Sequence, residues 1–157
     1  MKKSEILVLN GPNINMLGIR EPGLYGKETY NDLVKLVRSA AKKKSVKVSF
    51  YQSNEEGALV GKIQKSRKKF DGIILNAAAY THTSIAILDA LKCASLPCVE
   101  VHITDISERE DFRKRSFVSE YAFTAIKGEG LSGYVHALVE LLNYIKKKFN
   151  FFCKTMI

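Results

Sequence analysis

A glutamate and a histidine lie two positions apart in an otherwise apolar segment, Val99 to Thr104, which reads VEVHIT. Because side chains alternate along a β-strand, Glu100 and His102 share one face. A carboxylate in that position can fix the tautomer of the imidazole and raise its basicity. A polar patch at a sheet edge is the alternative interpretation of these two residues. Burying ionisable groups in an apolar strand, however, costs free energy unless the groups are paired. The pattern predicts proton transfer at His102.

A second polar group follows the first apolar run of the chain. The segment from Leu9 to Gly26 carries Asn13, Arg20 and Tyr25. It has neither the hydroxyl-rich loop of a flavodoxin nor the glycine and lysine spacing of a Walker phosphate loop. An ordinary surface loop with an incidental tyrosine explains this segment equally well.

A third polar group lies in the segment LNAAAYTHTS, from Leu75 to Ser84. Asn76 and His82 bracket small residues, which allow close approach of a ligand to the backbone. A predicted helix begins just after them, and its N-terminus can favour an anion. His82 taken alone fits a neighbour of the helix cap equally well.

The elements that must position these groups alternate between strand and helix periodicity. Thr29, with Asp32 three residues later, predicts the start of the first helix; Thr83 is expected to cap the third, and the last begins near Ser132. The predicted strands are Ile6–Leu9, Val46–Phe50 near a sheet edge, Gly72–Leu75, Cys98–Ile103 and Tyr121–Ile126. This alternation predicts an α/β, flavodoxin-like, three-layer doubly wound fold with a five-stranded parallel sheet in the order 2-1-3-4-5.

That topology locates the site. Open α/β sheets bind ligands outside the carboxyl ends of their strands, next to the point where the strand order reverses. In this order the point lies between the first and third strands. The three polar groups lie in segments that end at one edge of the sheet, which lowers the odds of coincidence.

Composition restricts the class of protein. The 157 residues favour one domain, with no apolar run near the ~20 residues of a membrane span, so a cytoplasmic location is expected. Three cysteines without CxxC spacing predict neither a disulfide framework nor a zinc site. The net charge of +9 keeps a basic nucleic-acid-binding module as the competing class.

The positions of the basic residues bear on that alternative. Lys42–Lys44, Arg67–Lys69 and Lys146–Lys148 stand at the predicted ends of three helices, where cations complement the helix dipole. Those ends should lie at the sheet edge remote from the site. We therefore expect a solvated surface, without nucleic-acid or membrane partners.

Six ordered segments carry a resemblance to a known family: GPNINMLGIREPGLYG, QSNEEGALVGKI, NAAAYTHTSIAILDAL, VEVHIT, REDFRKRS and GEGLSGY. Together they resemble type II 3-dehydroquinate dehydratase, a flavodoxin-like enzyme of the shikimate pathway, which leads to chorismate and the aromatic amino acids. The resemblance runs from Ile6 to about Tyr144. It implies a hydro-lyase that converts 3-dehydroquinate to 3-dehydroshikimate by trans elimination of water through an enolate, without a cofactor or metal.

The resemblance also implies catalytic roles. Tyr25 would take the proton beside the ketone, and the Arg20 cation would stabilise its tyrosinate, since a free tyrosine has a pKa of about 10. Asn13 would hold a water at the enolate oxygen. His102, oriented by Glu100, would protonate the leaving hydroxyl.

The same resemblance implies substrate contacts. Asn76 and the backbone amides of Ile103 and Thr104 would bind the carboxylate of the substrate, and His82 and Arg113 its hydroxyls. Asp89 would reach the site of a neighbouring subunit, in a homo-oligomer that is expected to be a dodecamer built from trimers. An inactive family member that serves as an assembly partner is a third, weaker possibility.

Three features depart from the family pattern. Ala77-Ala78 stands where Pro-Gly or Ala-Gly is usual, so a positive φ would strain Ala78. Asp105 replaces a common Asn and adds a negative charge beside the expected carboxylate pocket. The single catalytic domain is expected to span residues 1–148, with residues 149–157 a tail outside the resemblance.

Overall fold

Five parallel strands form the centre of the molecule. The computed structural model describes residues 3–19, 23 and 26–155. Its sheet has the order β2-β1-β3-β4-β5, which confirms the predicted topology. The strands are β1 (Glu5–Asn10), β2 (Lys47–Gln52), β3 (Gly72–Asn76), β4 (Cys98–His102) and β5 (Thr124–Lys127). The fifth strand begins later than predicted, at Thr124, because Tyr121 is the C-cap of a short 3₁₀ helix, Val118–Glu120.

In the described part of the chain, three α-helices connect successive strands: α1 (Tyr30–Lys43), α2 (Glu56–Ser66) and α3 (Ile85–Ala94). Helix α4 (Ser132–Thr155) follows β5. The predicted cap of α1 is confirmed, since Thr29 and Asp32 form a reciprocal capping box. The predicted cap of α3 is wrong by one residue: Ser84, not Thr83, accepts the hydrogen bond from the Ile87 amide. None of these helices is both long and apolar enough to cross a bilayer.

Helix α4 also corrects the interpretation of the basic residues. Lys42 and Lys43 lie in the last turn of α1, and Arg67 directly follows α2, as predicted. Helix α4, however, continues past Lys146–Lys148 to Thr155. Those three lysines therefore lie within a helix and not at its end.

Apolar side chains on the two faces of the sheet form two cores. One face packs against α1 and α4 through residues such as Ile6, Val8, Ile74 and Val101. The other packs against α2 and α3 through residues such as Leu7, Leu9, Ile73 and Leu75. Consecutive residues of the central strands β1 and β3 point to opposite cores, as expected for strands buried on both faces.

The strand register aligns the ends that carry the polar groups. Asn10 at the end of β1 pairs with Asn76 at the end of β3, and Leu75 pairs with Glu100 of β4. Beyond β1, the Gly11 amide donates to the Asn76 carbonyl at 2.8 Å. A Cβ at Gly11 would lie 2.4 Å from the Ala77 carbonyl oxygen, so only glycine permits this close approach.

Candidate active site

A cavity of about 270 Å³ opens at the carboxyl ends of β1, β3 and β4. This is the edge of the sheet at which the topology predicted a ligand site. The cavity brings together residues from three separate segments of the sequence. Of the predicted site residues, Asn13, Asn76, His82, His102, Ile103, Thr104 and Arg113 line it.

Two of the predicted positions that the structure describes, Glu100 and Asp89, do not line this cavity. Glu100 is fully buried behind His102 and acts on the cavity only through it. Asp89 lies exposed on α3. Arg20 and Tyr25 lie outside the described residues.

The predicted pairing of Glu100 and His102 is present. Nε2 of His102 lies 2.7 Å from Oε1 of Glu100, and both side chains are almost completely buried. Nε2 is therefore the nitrogen that donates to the carboxylate. Because His102 also lines the cavity and no described residue hydrogen-bonds its Nδ1, Nδ1 is the nitrogen available to a bound molecule.

Three hydroxyls surround the same carboxylate. Thr81 Oγ1 and Ser116 Oγ each lie 2.6 Å from Oε1, and the Ser119 hydroxyl donates to Oε2. Burial by itself raises the pKa of Glu100, but the hydrogen bond and charge of His102 and the bonds from Ser116 and Ser119 lower it to about 2. The carboxylate is ionised throughout the physiological range.

Asn76 is held by the protein from both ends of its amide. Its Oδ1 accepts from the Ala78 amide at 3.1 Å, and its Nδ2 donates to the Tyr134 hydroxyl at 2.8 Å. That hydroxyl donates in turn to Asn10 Oδ1 at 2.7 Å. Sequence reasoning missed Tyr134 as a residue of the site, because helical spacing identified it only as part of the buried face of α4.

The turn after β3 has a positive φ at Ala78, the position where the family usually has glycine. Ala78 has φ +50°, in the left-handed region that favours glycine. The Asn76 Oδ1 bond to the Ala78 amide holds this turn closed. Asn13, on the opposite wall, also has a left-handed backbone, with φ +66°, which asparagine tolerates better than most residues.

Asp105 follows the cavity wall at the end of β4. Hydrogen bonds from the Ser107 amide and hydroxyl, at 2.9 and 2.7 Å, lower its pKa. Its side chain caps the short helix Ile106–Glu108. Asp105, which replaces the Asn common in the family, therefore keeps its negative charge, and its carboxylate serves as the N-cap of this short helix.

Two arginines stand at the mouth of the cavity. Nε of Arg113 lies 3.2 Å and Nε of Arg109 3.6 Å from Oε2 of Glu110, so one carboxylate contacts both guanidinium groups. Arg109 lines the cavity but was not predicted; the segment REDFRKRS carries it, without a spacing that distinguishes it from its neighbours. Two cations at the entrance suit an anionic ligand.

His82 faces the cavity from a short helix, Ala78–His82. Its Nδ1 lies 2.8 Å from the Arg115 carbonyl oxygen. Burial lowers the pKa of His82, the bond to Arg115 opposes this, and the charges of His102 and Arg113 lower it further. A largely neutral imidazole at this position can exchange hydrogen bonds with hydroxyl groups. In the described part of the chain, no group of three or more His, Cys, Asp or Glu side chains could hold a metal ion.

Comparison with known proteins agrees with this geometry. The sequence model of the family described as "Dehydroquinase class II" matches residues 4–142. The chain belongs to the class II dehydroquinase family. The resemblance identified from the six sequence segments is thereby confirmed.

Individual relatives match over nearly their whole length. The chain is 53% identical to a 3-dehydroquinate dehydratase of Endomicrobium trichonymphae over 91% of this chain and 99% of that protein. It is 49% identical to one of Prochlorococcus marinus (strain MIT 9301), over 91% of this chain and 97% of that protein. The crystal structure of type II dehydroquinase from Butyrivibrio crossotus matches with a TM-score of 0.86 and 45% identity, over 88% of this chain and 97% of that one.

Proposed function

We propose that the cavity is the active site of a 3-dehydroquinate dehydratase, a hydro-lyase of the shikimate pathway. The observation that carries the proposal is the buried Glu100–His102 pair at 2.7 Å, which opens onto a cavity with two arginines at its mouth, in a class II dehydroquinase chain. The chain would supply the route to chorismate and aromatic amino acids. We place it in the cytoplasm.

The first step is removal of a proton from the carbon beside the ketone of 3-dehydroquinate. Tyr25 is proposed as the base, with Arg20 as the cation that stabilises its tyrosinate. The electron pair left on carbon moves to the ketone oxygen and gives an enolate. Asn13, on the cavity wall, would hold a water that donates to this oxygen.

The second step is loss of the hydroxyl as water. The enolate returns its electron pair, the carbon–oxygen bond breaks, and His102 supplies the proton from Nδ1. Nδ1 carries a proton only in the imidazolium form, because Nε2–H already donates to Glu100. The ionised carboxylate stabilises that cation, and the outcome is a stepwise trans elimination.

The remaining residues would hold the substrate. Its carboxylate would lie against Asn76 and the amides of Ile103 and Thr104. The Ile103 carbonyl accepts from the Gly130 amide at 3.0 Å, which fixes the backbone at that wall. His82 and Arg113 would bind ring hydroxyls.

A homo-oligomer completes the proposal. Asp89 is exposed on α3 and outside the cavity of its own subunit, which is compatible with a contact to the site of a neighbour. We propose a dodecamer built from trimers. Sedimentation of the purified chain measures this directly, and a monomer at micromolar concentration would contradict it.

The activity is tested by the absorbance of the conjugated enone product when purified protein meets 3-dehydroquinate. We expect turnover that resists chelator and borohydride, and losses of several orders of magnitude in Tyr25→Phe and His102→Ala. His136→Ala is the matched control, because His136 lies exposed on α4, outside the cavity, and its Nδ1 lies 3.0 Å from the carboxylate of Glu129. Near-normal rates in both active-site variants would contradict the mechanism.

A further inference from the structure

The hydrogen bonds around Glu100 exceed what the pairing with His102 requires. An ionised carboxylate has about four acceptor positions, and an O–H group can only donate to it. Here His102, Thr81 and Ser116 contact Oε1, and Ser119 donates to Oε2. Thr81 and Ser116 also lie 2.8 Å apart, so at least one of the two donates to the carboxylate directly. Glu100, which is itself fully buried, thus accepts at least three hydrogen bonds from protein groups.

The three hydroxyls, called here the hydroxyl cluster (Thr81, Ser116 and Ser119), come from two segments that are bonded together. The Phe117 amide donates to the Thr81 carbonyl oxygen at 2.8 Å. The Ser119 amide donates to Ser116 Oγ at 3.0 Å. Thr81 therefore lies on the short helix that carries His82, and Ser116 and Ser119, which are held against it, follow Arg113 closely in the chain.

We propose that the hydroxyl cluster positions the general acid of the reaction, by holding Glu100 ionised and oriented so that His102 directs Nε2–H at it and Nδ1 into the cavity. This rests on the proposed dehydratase function. The cluster touches no substrate and acts only through Glu100. Without it, a protonated Glu100 could donate to Nε2, which would reverse the tautomer and orient the imidazole differently.

Several other titratable groups face the pair. His82 approaches from the short helix Ala78–His82, Asp105 follows β4, and Cys98 begins the same strand. Arg113 acts on His82 from the mouth of the cavity. The buried Cys98 thiol has its pKa raised by desolvation and remains neutral. The cluster variants leave all four side chains unchanged, so a shift confined to those variants belongs to the Glu100–His102 pair.

The kinetic test uses Ser116→Ala, Ser119→Ala and their combination in the full-length chain. We expect kcat to fall by roughly ten- to a hundred-fold, the order of a lost hydrogen bond to a charged group, with KM nearly unchanged. The acid limb of the kcat profile should move to higher pH. Ser119→Thr keeps the hydroxyl and should restore the wild-type limb.

Ser66→Ala is the matched control. Ser66 is buried, donates to the Ile63 carbonyl oxygen at 2.6 Å and ends α2, outside the cavity. It should leave the profile unchanged. If circular dichroism shows that Ser116→Ala does not fold, the pH profile of Ser119→Ala tests the proposal by itself. Ser119 is exposed, so its replacement should not prevent folding. A profile for Ser119→Ala identical to that of the wild type would overturn the proposal.

A second measurement does not depend on activity. With ¹⁵N-labelled histidine, the three imidazoles are assigned by single substitutions, and the His102 nitrogens report which one carries the proton. In the ligand-free wild type we expect a protonated Nε2, and in the double variant a mixture of tautomers. Unchanged His102 signals in that variant would overturn the positioning role. An inactive wild type with the expected signals would refute the dehydratase proposal but leave the tautomer control standing.

Discussion

Replacing Tyr134 with phenylalanine removes one oxygen that serves two buried amides. The hydroxyl accepts from Asn76 Nδ2 and donates to Asn10 Oδ1, and all three residues are at most 3% exposed. Burial raises the pKa of Tyr134, so the group is a neutral donor at every working pH. Asn10 Oδ1 would lose the hydrogen bond that Tyr134 donates to it, and Asn10 Nδ2 already has no hydrogen-bond partner within the described structure.

The magnitude follows from the groups left behind. Each buried polar group deprived of its partner costs about 1–3 kcal/mol, and two are affected. We expect Tyr134→Phe to lower the free energy of unfolding by about 2–6 kcal/mol. We also expect KM for 3-dehydroquinate to rise, because Asn76 loses the bond that orients its Nδ2 at the cavity wall.

Urea unfolding followed by circular dichroism measures the stability, and the enone assay measures KM. Tyr121→Phe is the matched control, since its hydroxyl, in a half-buried position, donates to the Leu96 carbonyl oxygen and to no other residue that the structure describes. It should cost no more than about 1.5 kcal/mol and leave KM unchanged. Equal losses of stability in the two variants would refute the argument that the Tyr134 hydroxyl links the two amides.

Three further outcomes test other parts of the structure. In the folded protein the pKa of Glu100 is about 2, against an ordinary value of 4.5, so the ionised carboxylate stabilises the fold fully above pH 4.5 and progressively less as the pH falls towards 2. The free energy of unfolding, measured with urea at several pH values across that range, should therefore depend less steeply on pH in Glu100→Gln than in the wild type. Gly11→Ala forces a methyl group against the Ala77 carbonyl and should reduce the yield of folded protein, measured by gel filtration. Thr29→Ala removes the capping box of α1 and should cost about 1 kcal/mol in urea unfolding, without change in kcat.

The sheet and the central pair could be predicted because their signals are local. Apolar runs that end in polar residues identify buried parallel strands, and the two-residue spacing of Glu100 and His102 puts both on one face. The α1 cap was equally local, since Thr29 and Asp32 bond each other. In each case a short stretch of sequence contains the whole interaction.

The rest of the site depends on contacts between distant segments. Ser116 and Ser119 resemble any surface serines until the fold brings them 16 and 19 residues back to Glu100. Tyr134 is apolar over most of its ring, so its spacing on the helix conceals the role of its hydroxyl. The continuation of α4 was missed for another reason: Lys146–Lys148 suggested a helix end, but lysine is a good helix former and neither glycine nor proline follows.

The bond between Tyr134 and Asn10 joins residues 124 positions apart. During synthesis on a ribosome, β1 emerges long before α4, and the wall that orients Asn76 is incomplete until Tyr134 arrives. Bringing such remote segments together carries a loop-closure cost and slows folding. The nascent chain can therefore form much of its sheet while still unable to hold a substrate, and competence for binding is acquired only as the last helix docks.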